Sequence, residues 1–152
     1  MAAEGAAAVA MLPKEYGYVM LVIVLYAFLN FWMAFQVGQA RRRYNVFYPT
    51  MYATESENKD AKLFNCVQRG HQNSLEMMPL FLVTLALGGL KHPIVAATLG
   101  ALYAVGRFFY FKGYSTGNPN NRMKLGVLSF PAIMGLILCT ASLGVHLLRR
   151  QF

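Results

Sequence analysis

Acid is what this chain has least of. Six Asp and Glu stand against fourteen Lys and Arg, and charged residues of both signs make up only 13% of 152 residues. With 57% of the chain apolar and a mean hydropathy of +0.39, the balance excludes an ordinary soluble domain and fits one membrane domain. Cysteine is nearly missing too. Cys66 and Cys139 fall in different apolar blocks at different expected depths, which argues against a disulfide, and no C-x-x-C pair or Cys/His cluster offers a metal site. His71, His92 and His146 are scattered, and His92 and His146 read as residues facing polar surroundings at the ends of spans. A small-residue cleavage site after the first apolar block is lacking, and Glu4 spoils the basic start of a signal peptide, so that block reads as a retained anchor. Internal repeats are absent, and the alanines of residues 1–10 are the one low-complexity tract.

What is present is four apolar blocks, Tyr16–Gly38, Leu75–Leu90, Ile94–Phe111 and Gly126–Leu148. A spanning helix needs about 20 mainly apolar residues, which the first and last blocks supply alone. The second reaches that length only if the polar run from Leu63 belongs to the same helix, and no Gly-Pro or Pro-Gly break separates the two. The expected fold is an all-α integral membrane protein, a four-transmembrane-helix bundle with spans about 16–38, 63–90, 94–112 and 125–148. Residues 1–12 are expected to be a disordered extension and residues 13–152 the membrane domain. Gly88-Gly89 is expected to end the second helix, Pro79 and Pro131 to kink the second and fourth, and Tyr48-Pro49 to be extended. Ala96, Gly100 and Ala104 form a small-residue ladder on the third helix, suited to close helix approach in lipid.

The net charge of +8 does not point to nucleic acid, because the basic residues sit between spans. Arg41, Arg42, Arg43, Lys59, Lys62, Arg69, Arg107, Lys112, Arg122 and Lys124 lie on one side, against Lys14, Lys91, Arg149 and Arg150 on the other. Ten against four places both longer loops in the cytosol by the positive-inside bias, with both termini lumenal.

Two polar stripes then stand out on the cytosolic side. Arg69, Asn73 and Glu76 are spaced i, i+4 and i+7, so a helix stacks them on one face where hydrocarbon begins. Tyr103, Arg107, Tyr110 and Tyr114 continue the same spacing on the third helix, a row of phenols around a guanidinium. An Arg69–Glu76 pair and an interfacial aromatic belt account for part of this pattern. They account neither for Asn73 nor for the excess of arginines over acids. Ionisable groups near a bilayer are costly and usually functional, and guanidinium binds carboxylate through paired donors. Together the stripes suit a small zwitterion carrying carboxylates and an amine.

The run Phe64-Asn-Cys-Val-Gln-Arg-Gly-His-Gln-Asn-Ser-Leu-Glu-Met-Met-Pro-Leu-Phe-Leu82 resembles the signature of the membrane-associated proteins in eicosanoid and glutathione metabolism. Lys14-Glu-Tyr-Gly17, Tyr44-Asn-Val-Phe-Tyr-Pro-Thr-Met-Tyr52 and Gly106-Arg-Phe-Phe-Tyr-Phe-Lys-Gly-Tyr-Ser-Thr-Gly117 carry the resemblance further, over about residues 12–145. It implies a homotrimer of four-helix subunits in the endoplasmic reticulum membrane, or alternatively the outer mitochondrial membrane, with glutathione bound between subunits on the cytosolic side. By the same resemblance Arg69, His71, Asn73, Glu76, Arg107, Tyr110 and Tyr114 hold glutathione, joined by Arg41 from the neighbouring subunit. Arg42 and Arg122 are implied as catalytic, with Arg122 beside the thiol; Asn121 and Lys124 remain alternatives because the loop after Tyr114 is one residue longer. Met77 and His71 depart from the tyrosine and glutamine of the family's leukotriene synthases, which favours the general transferases.

The implied chemistry needs no metal and no protein nucleophile. A guanidinium favours the thiolate of glutathione, the co-substrate, which attacks lipophilic electrophiles or lipid hydroperoxides delivered by the bilayer. Cys66, three residues before Arg69, fits better as a small buried residue than as a nucleophile. A non-catalytic lipid-binding scaffold of the same family is the alternative, disfavoured by the complete cradle. A proton-coupled exporter using Glu76 is disfavoured by Arg69 on its stripe.

Overall fold

The computed structural model describes residues 12–149, so the expected N-terminal extension lies almost wholly outside the described residues. The described residues form four helices, α1 Tyr16–Arg43, α2 Ala61–Lys91, α3 Pro93–Tyr114 and α4 Ser129–Arg149, with short 3₁₀ turns at Pro119–Met123 and Gly126–Leu128. All four are long and apolar enough to cross a membrane. The protein is an all-α integral membrane protein built as a four-helix bundle.

Helix length explains where polar chemistry sits. The 31 residues of α2 extend about 46 Å at the α-helical rise, against about 30 Å of hydrocarbon. Its polar first third therefore belongs to the same rod as the apolar remainder, as its sequence suggested. α1 likewise runs on through Arg41, Arg42 and Arg43, whose charge favours the negative end of the helix dipole. Both helices overshoot at one end of the bundle, called the basic end below.

Three boundaries differ from the sequence reading. Gly88 and Gly89 do not end α2, which continues to Lys91. A side chain at Gly88 would meet Cys139 Cβ at 2.8 Å, and one at Gly89 would meet Val19 Cγ2 at 2.8 Å. The two glycines are thus places where α4 and α1 approach α2. The break comes instead at His92, pushed out of helical geometry by Pro93, which opens α3. Pro131 sits in the first turn of α4, where its missing N–H has no intrahelical partner to lose, so no kink is required. Tyr48-Pro49 lies in a turn closed by Thr50 N–H donating to Phe47 O at 3.1 Å, not in an extended run.

Two clusters fill the bundle. Tyr26, Phe81 and Tyr103 pack centrally with Val19, Leu85 and Leu136, the rings of Phe81 and Tyr103 stacked at 4.3 Å between centroids. The ladder residues Ala96, Gly100 and Ala104 are all buried on α3. Met33, Val37, Phe64, Val67 and Phe111 form the second cluster toward the basic end. At the far end Lys91 Nζ donates to Ser142 O and Oγ at 2.9 and 2.8 Å, and His92 Nε2 lies 3.0 Å from the same hydroxyl. His92 therefore ties the α2–α3 corner to α4, a partner its sequence context did not reveal. His146 is exposed, and both cysteines are free and buried.

Candidate functional site

The predicted stripe on α2 forms as spaced. Arg69 Nη1 donates to Glu76 Oε1 at 2.7 Å, and Asn73 Nδ2 donates to Glu76 Oε2 at 3.4 Å. Across the helix interface Arg107 of α3 donates through Nη2 to Asn73 Oδ1 at 2.9 Å and to Ser74 Oγ at 2.8 Å. Its guanidinium carbon lies 4.2 Å from the centre of the Tyr110 ring, a cation–π contact. Tyr110 and Tyr114 follow with ring centroids 5.8 Å apart, and Arg122 stands 5.4 Å over Tyr114. Arg69, Glu76, Asn73, Arg107, Tyr110, Tyr114 and Arg122 thus form one unbroken run of contacts along the basic end.

The last member is placed by two close approaches. A side chain at Gly113 would collide with the backbone of Asn121, and one at Gly126 would meet Tyr110 Cα at 2.9 Å. Without those side chains the segment after α3 folds back over the final turns of that helix. Asn118 Oδ1 accepts from Asn120 N–H at 3.1 Å, and Arg122 Nη1 donates to Pro119 O at 2.6 Å. Among the sequence alternatives, Asn121 turns its amide to Thr116 Oγ1 at 2.9 Å, Lys124 is exposed, and Arg122 makes a cation–π contact with the tyrosine row.

Three expected site residues stay out of this run. Arg41 is buried within its own chain, donating to Thr50 O at 2.7 Å and Val46 O at 3.5 Å. Its guanidinium lies 4.3 Å from the Tyr48 ring centre and 5.1 Å from that of Phe64. That arginine pins the loop after α1 within its own chain. Arg42 beside it is exposed, and His71 is half-buried on α2. The pinned loop is also tied to α2 by Asn65, whose amide pairs with both Ala53 N–H at 2.8 Å and Ala53 O at 2.9 Å. Tyr52 completes the tie by donating to Gln72 Oε1.

Ser74 is the residue the sequence reading missed. It is fully buried, accepts from Arg107, and donates to Gly70 O at 3.3 Å. Its backbone carbonyl in turn accepts from the Tyr26 hydroxyl at 3.3 Å, so the polar run reaches into the core. A small hydroxyl beside Asn73 was the sole signal in the sequence.

Electrostatically the run is uneven. Arg69 and Glu76 neutralise one another while remaining well exposed, at 39% and 46% of their side chains. Arg107 is only 4% exposed, and both of its hydrogen-bond partners are neutral. Beneath the run lies a small cavity of about 120 Å³, lined by Asn73, Met77, Tyr103, Arg107, Tyr110 and Phe130 among others. A larger apolar groove of about 590 Å³ between α1 and α3 is remote from this chemistry, bordered by Tyr18, Leu25, Ile94 and Thr98. Among the described residues no group of three His, Cys, Asp or Glu side chains is placed to hold a metal.

The profile of the MAPEG family matches residues 19–142. Human microsomal glutathione S-transferase 2 is 33% identical over 144 residues, covering 86% of this chain and 93% of the relative. The bovine protein of that name is 33% identical over 119 residues, covering 75% and 77%. An uncharacterised protein of the cyanobacterium Synechocystis is 34% identical over 95 residues, covering 62% and 64%.

Proposed function

The chain belongs to the MAPEG family, and from that premise we propose that it is a membrane-bound glutathione transferase whose cradle runs from Arg69 to Arg122. The observation that carries this reading is Arg107, a buried guanidinium with only neutral hydrogen-bond partners. Burying a charge without a directly paired countercharge costs on the order of several kcal/mol, and a carboxylate arriving with a ligand offsets that cost. Glutathione brings two carboxylates and one ammonium group. Arg107 and Arg69 suit the carboxylates through paired donors, Glu76 suits the ammonium, and Asn73, Tyr110 and Tyr114 supply further hydrogen bonds. On binding, Arg69 and Glu76 each exchange part of their mutual contact for the tripeptide.

Arg122 is assigned to the thiol. A free thiol has a pKa of about 8.5, so little thiolate exists at neutral pH. Lowering that value by two units takes about 2.7 kcal/mol of preferential interaction with the anion, within reach of one charge-assisted hydrogen bond and a neighbouring phenol. The thiolate forms a carbon–sulfur bond with a lipophilic electrophile drawn from the bilayer. With a lipid hydroperoxide it takes the terminal oxygen, the O–O bond breaks to release the alcohol, and a second glutathione converts the resulting sulfenic acid to disulfide and water.

We assign the assembly as a homotrimer in the endoplasmic reticulum membrane. The exposed apolar face of α1, with Leu21, Leu25, Phe28, Phe31 and Phe35, supports contact with lipid and with a second copy. In such an assembly the exposed Arg42, rather than the internally held Arg41, is available to complete a neighbour's cradle. The test is activity of the detergent-purified protein with glutathione against chlorodinitrobenzene and a fatty-acid hydroperoxide. Turnover of both supports the full reading, turnover of the halide alone restricts it to conjugation, and turnover of neither contradicts it.

A further inference from the structure

A second polar site opens at the basic end, between α1 and α3. It is a cleft of about 370 Å³, walled by Gln36, Gln39 and Arg43 of α1 and by Lys112 and Ser115 of α3. Val67 and Phe111 form its floor, and no residue of the cradle run lines it. Both cations are exposed, and the lining holds no acid. Among the described residues neither cation forms an ion pair. The 28 residues of α1 and the 22 of α3 extend about 42 and 33 Å, against about 30 Å of hydrocarbon. Arg43 and Lys112, in the last turns of those helices, therefore stand at headgroup level.

Below the cleft the same two helices continue it as one seam. Leu25, Trp32, Gln36 and Arg43 are spaced i, i+7, i+11 and i+18 on α1, which keeps them on one face. Ala101, Phe108, Lys112 and Ser115 are spaced i, i+7, i+11 and i+14 on α3, again one face. Leu25 and Ala101 border the apolar groove of about 590 Å³. Trp32 and Phe108 meet above it with ring centroids 5.3 Å apart, and tryptophan suits the boundary between hydrocarbon and headgroups. Apolar, aromatic and cationic surfaces thus follow one another from Ala101 to Lys112. That stretch covers about 16 Å, roughly half the hydrocarbon thickness.

We infer that this seam is a binding site for an anionic phospholipid of the leaflet at the basic end. Its phosphate lies between Arg43 and Lys112, and one acyl chain runs past Trp32 and Phe108 toward Leu25 and Ala101. Guanidinium and ammonium both bind phosphate, and basic pockets between spanning helices take anionic headgroups. At about 30 Å³ per water-sized volume, the cleft has room for roughly a dozen heavy atoms, enough for a glycerol phosphate. The amides of Gln36 and Gln39 suit the ester oxygens. This site stands apart from the cradle, and the inference does not depend on the transferase reading.

The experiment offers the detergent-purified protein an equimolar mixture of phosphatidic acid and phosphatidylcholine and counts each retained lipid by native mass spectrometry. The parent protein is expected to retain phosphatidic acid preferentially. Arg43→Gln combined with Lys112→Gln is expected to lower that preference at least about ten-fold. Lys59→Gln combined with Lys62→Gln removes two exposed charges outside the cleft and is expected to keep it. Arg43→Lys combined with Lys112→Arg preserves both charges and is expected to keep it as well. Soluble glycerol phosphate at the lipid's concentration is expected to displace nothing, because it lacks the chain that the seam holds. Equal retention of the two lipids by the parent overturns the site, as does a preference that survives in the Arg43→Gln, Lys112→Gln protein. Equal losses in the two glutamine pairs reduce the effect to net charge and overturn it too, and so does a loss in the charge-preserving pair. Displacement by glycerol phosphate overturns the lipid assignment in favour of a soluble phosphate ester.

Discussion

Arg107 donates to Asn73 Oδ1 at 2.9 Å, and that bond sets which way the Asn73 amide faces. A guanidinium has donors only, so Asn73 must offer its oxygen to α3 and its nitrogen to Glu76 on its own helix. One arginine on α3 thereby orients two of the three residues in the α2 stripe, although among the described residues it forms no ion pair of its own.

Arg107→Met separates the binding role of this residue from any structural one. Replacing a buried ion by an apolar side chain of similar volume is often neutral or stabilising. The variant is expected to keep or raise its Tm in detergent while glutathione affinity, measured by calorimetry, falls at least about ten-fold, roughly 1.4 kcal/mol. A lowered Tm with unchanged affinity contradicts the assignment.

Arg122→Ala tests the thiol. Arg122 touches Tyr114 and Pro119 at the end of the run, so glutathione affinity is expected to change by less than about three-fold, on the order of half a kcal/mol. Turnover at neutral pH is expected to drop by about 3- to 25-fold, following the loss of thiolate when the thiol pKa rises by one to two units from about 6.5. The sign with pH follows: a raised thiol pKa starves the variant of thiolate at low pH, and the deficit shrinks as pH rises past about 8.5. A deficit that is constant across pH removes Arg122 from the thiol.

Arg41 and Arg42 are neighbours in sequence with opposite expected phenotypes. Arg41→Ala loses bonds to two backbone carbonyls and its contacts with two rings, and is expected to destabilise the protein by about 2–3 kcal/mol. Arg42→Ala is expected to leave the Tm unchanged, since the side chain is exposed, and to lower turnover in the assembled protein. Thermal unfolding alongside steady-state kinetics distinguishes them, and equal effects of the two variants contradict the division of labour.

Gly126→Ala probes the fold-back that places Arg122. A Cβ there would stand 2.9 Å from Tyr110 Cα, a backbone atom that cannot step aside cheaply. Reduced glutathione affinity and reduced turnover together are expected, with a lower Tm; a variant indistinguishable from the parent shows the segment to be free to relax.

Periodicity is a local property, and what depended on it was legible in the sequence. The spacing of Arg69, Asn73 and Glu76, and of Tyr103, Arg107, Tyr110 and Tyr114, put each set on one face before any helix was seen, and the four spans followed from apolar length. What failed depended on partners distant in sequence or contact. Nothing in the run Arg41–Arg43 shows that the chain returns to offer Arg41 the carbonyls of Val46 and Thr50. Gly88-Gly89 looked like a terminus because glycine usually punctuates a helix, whereas here it admits α1 and α4. Pro131 looked like a kink only while α4 was thought to begin earlier. Ser74 looked inert because its partner is 33 residues away on α3.

The state of sulfur in the complex decides whether the cradle works as a transferase site. Thiolate ultraviolet absorbance, titrated against pH with glutathione bound to the detergent-purified protein, reads it without any electrophile. The account predicts an apparent thiol pKa at least about one unit below the free value of about 8.5, restored toward that value by Arg122→Ala. A bound thiol titrating like the free one, or a tripeptide that does not bind, contradicts it.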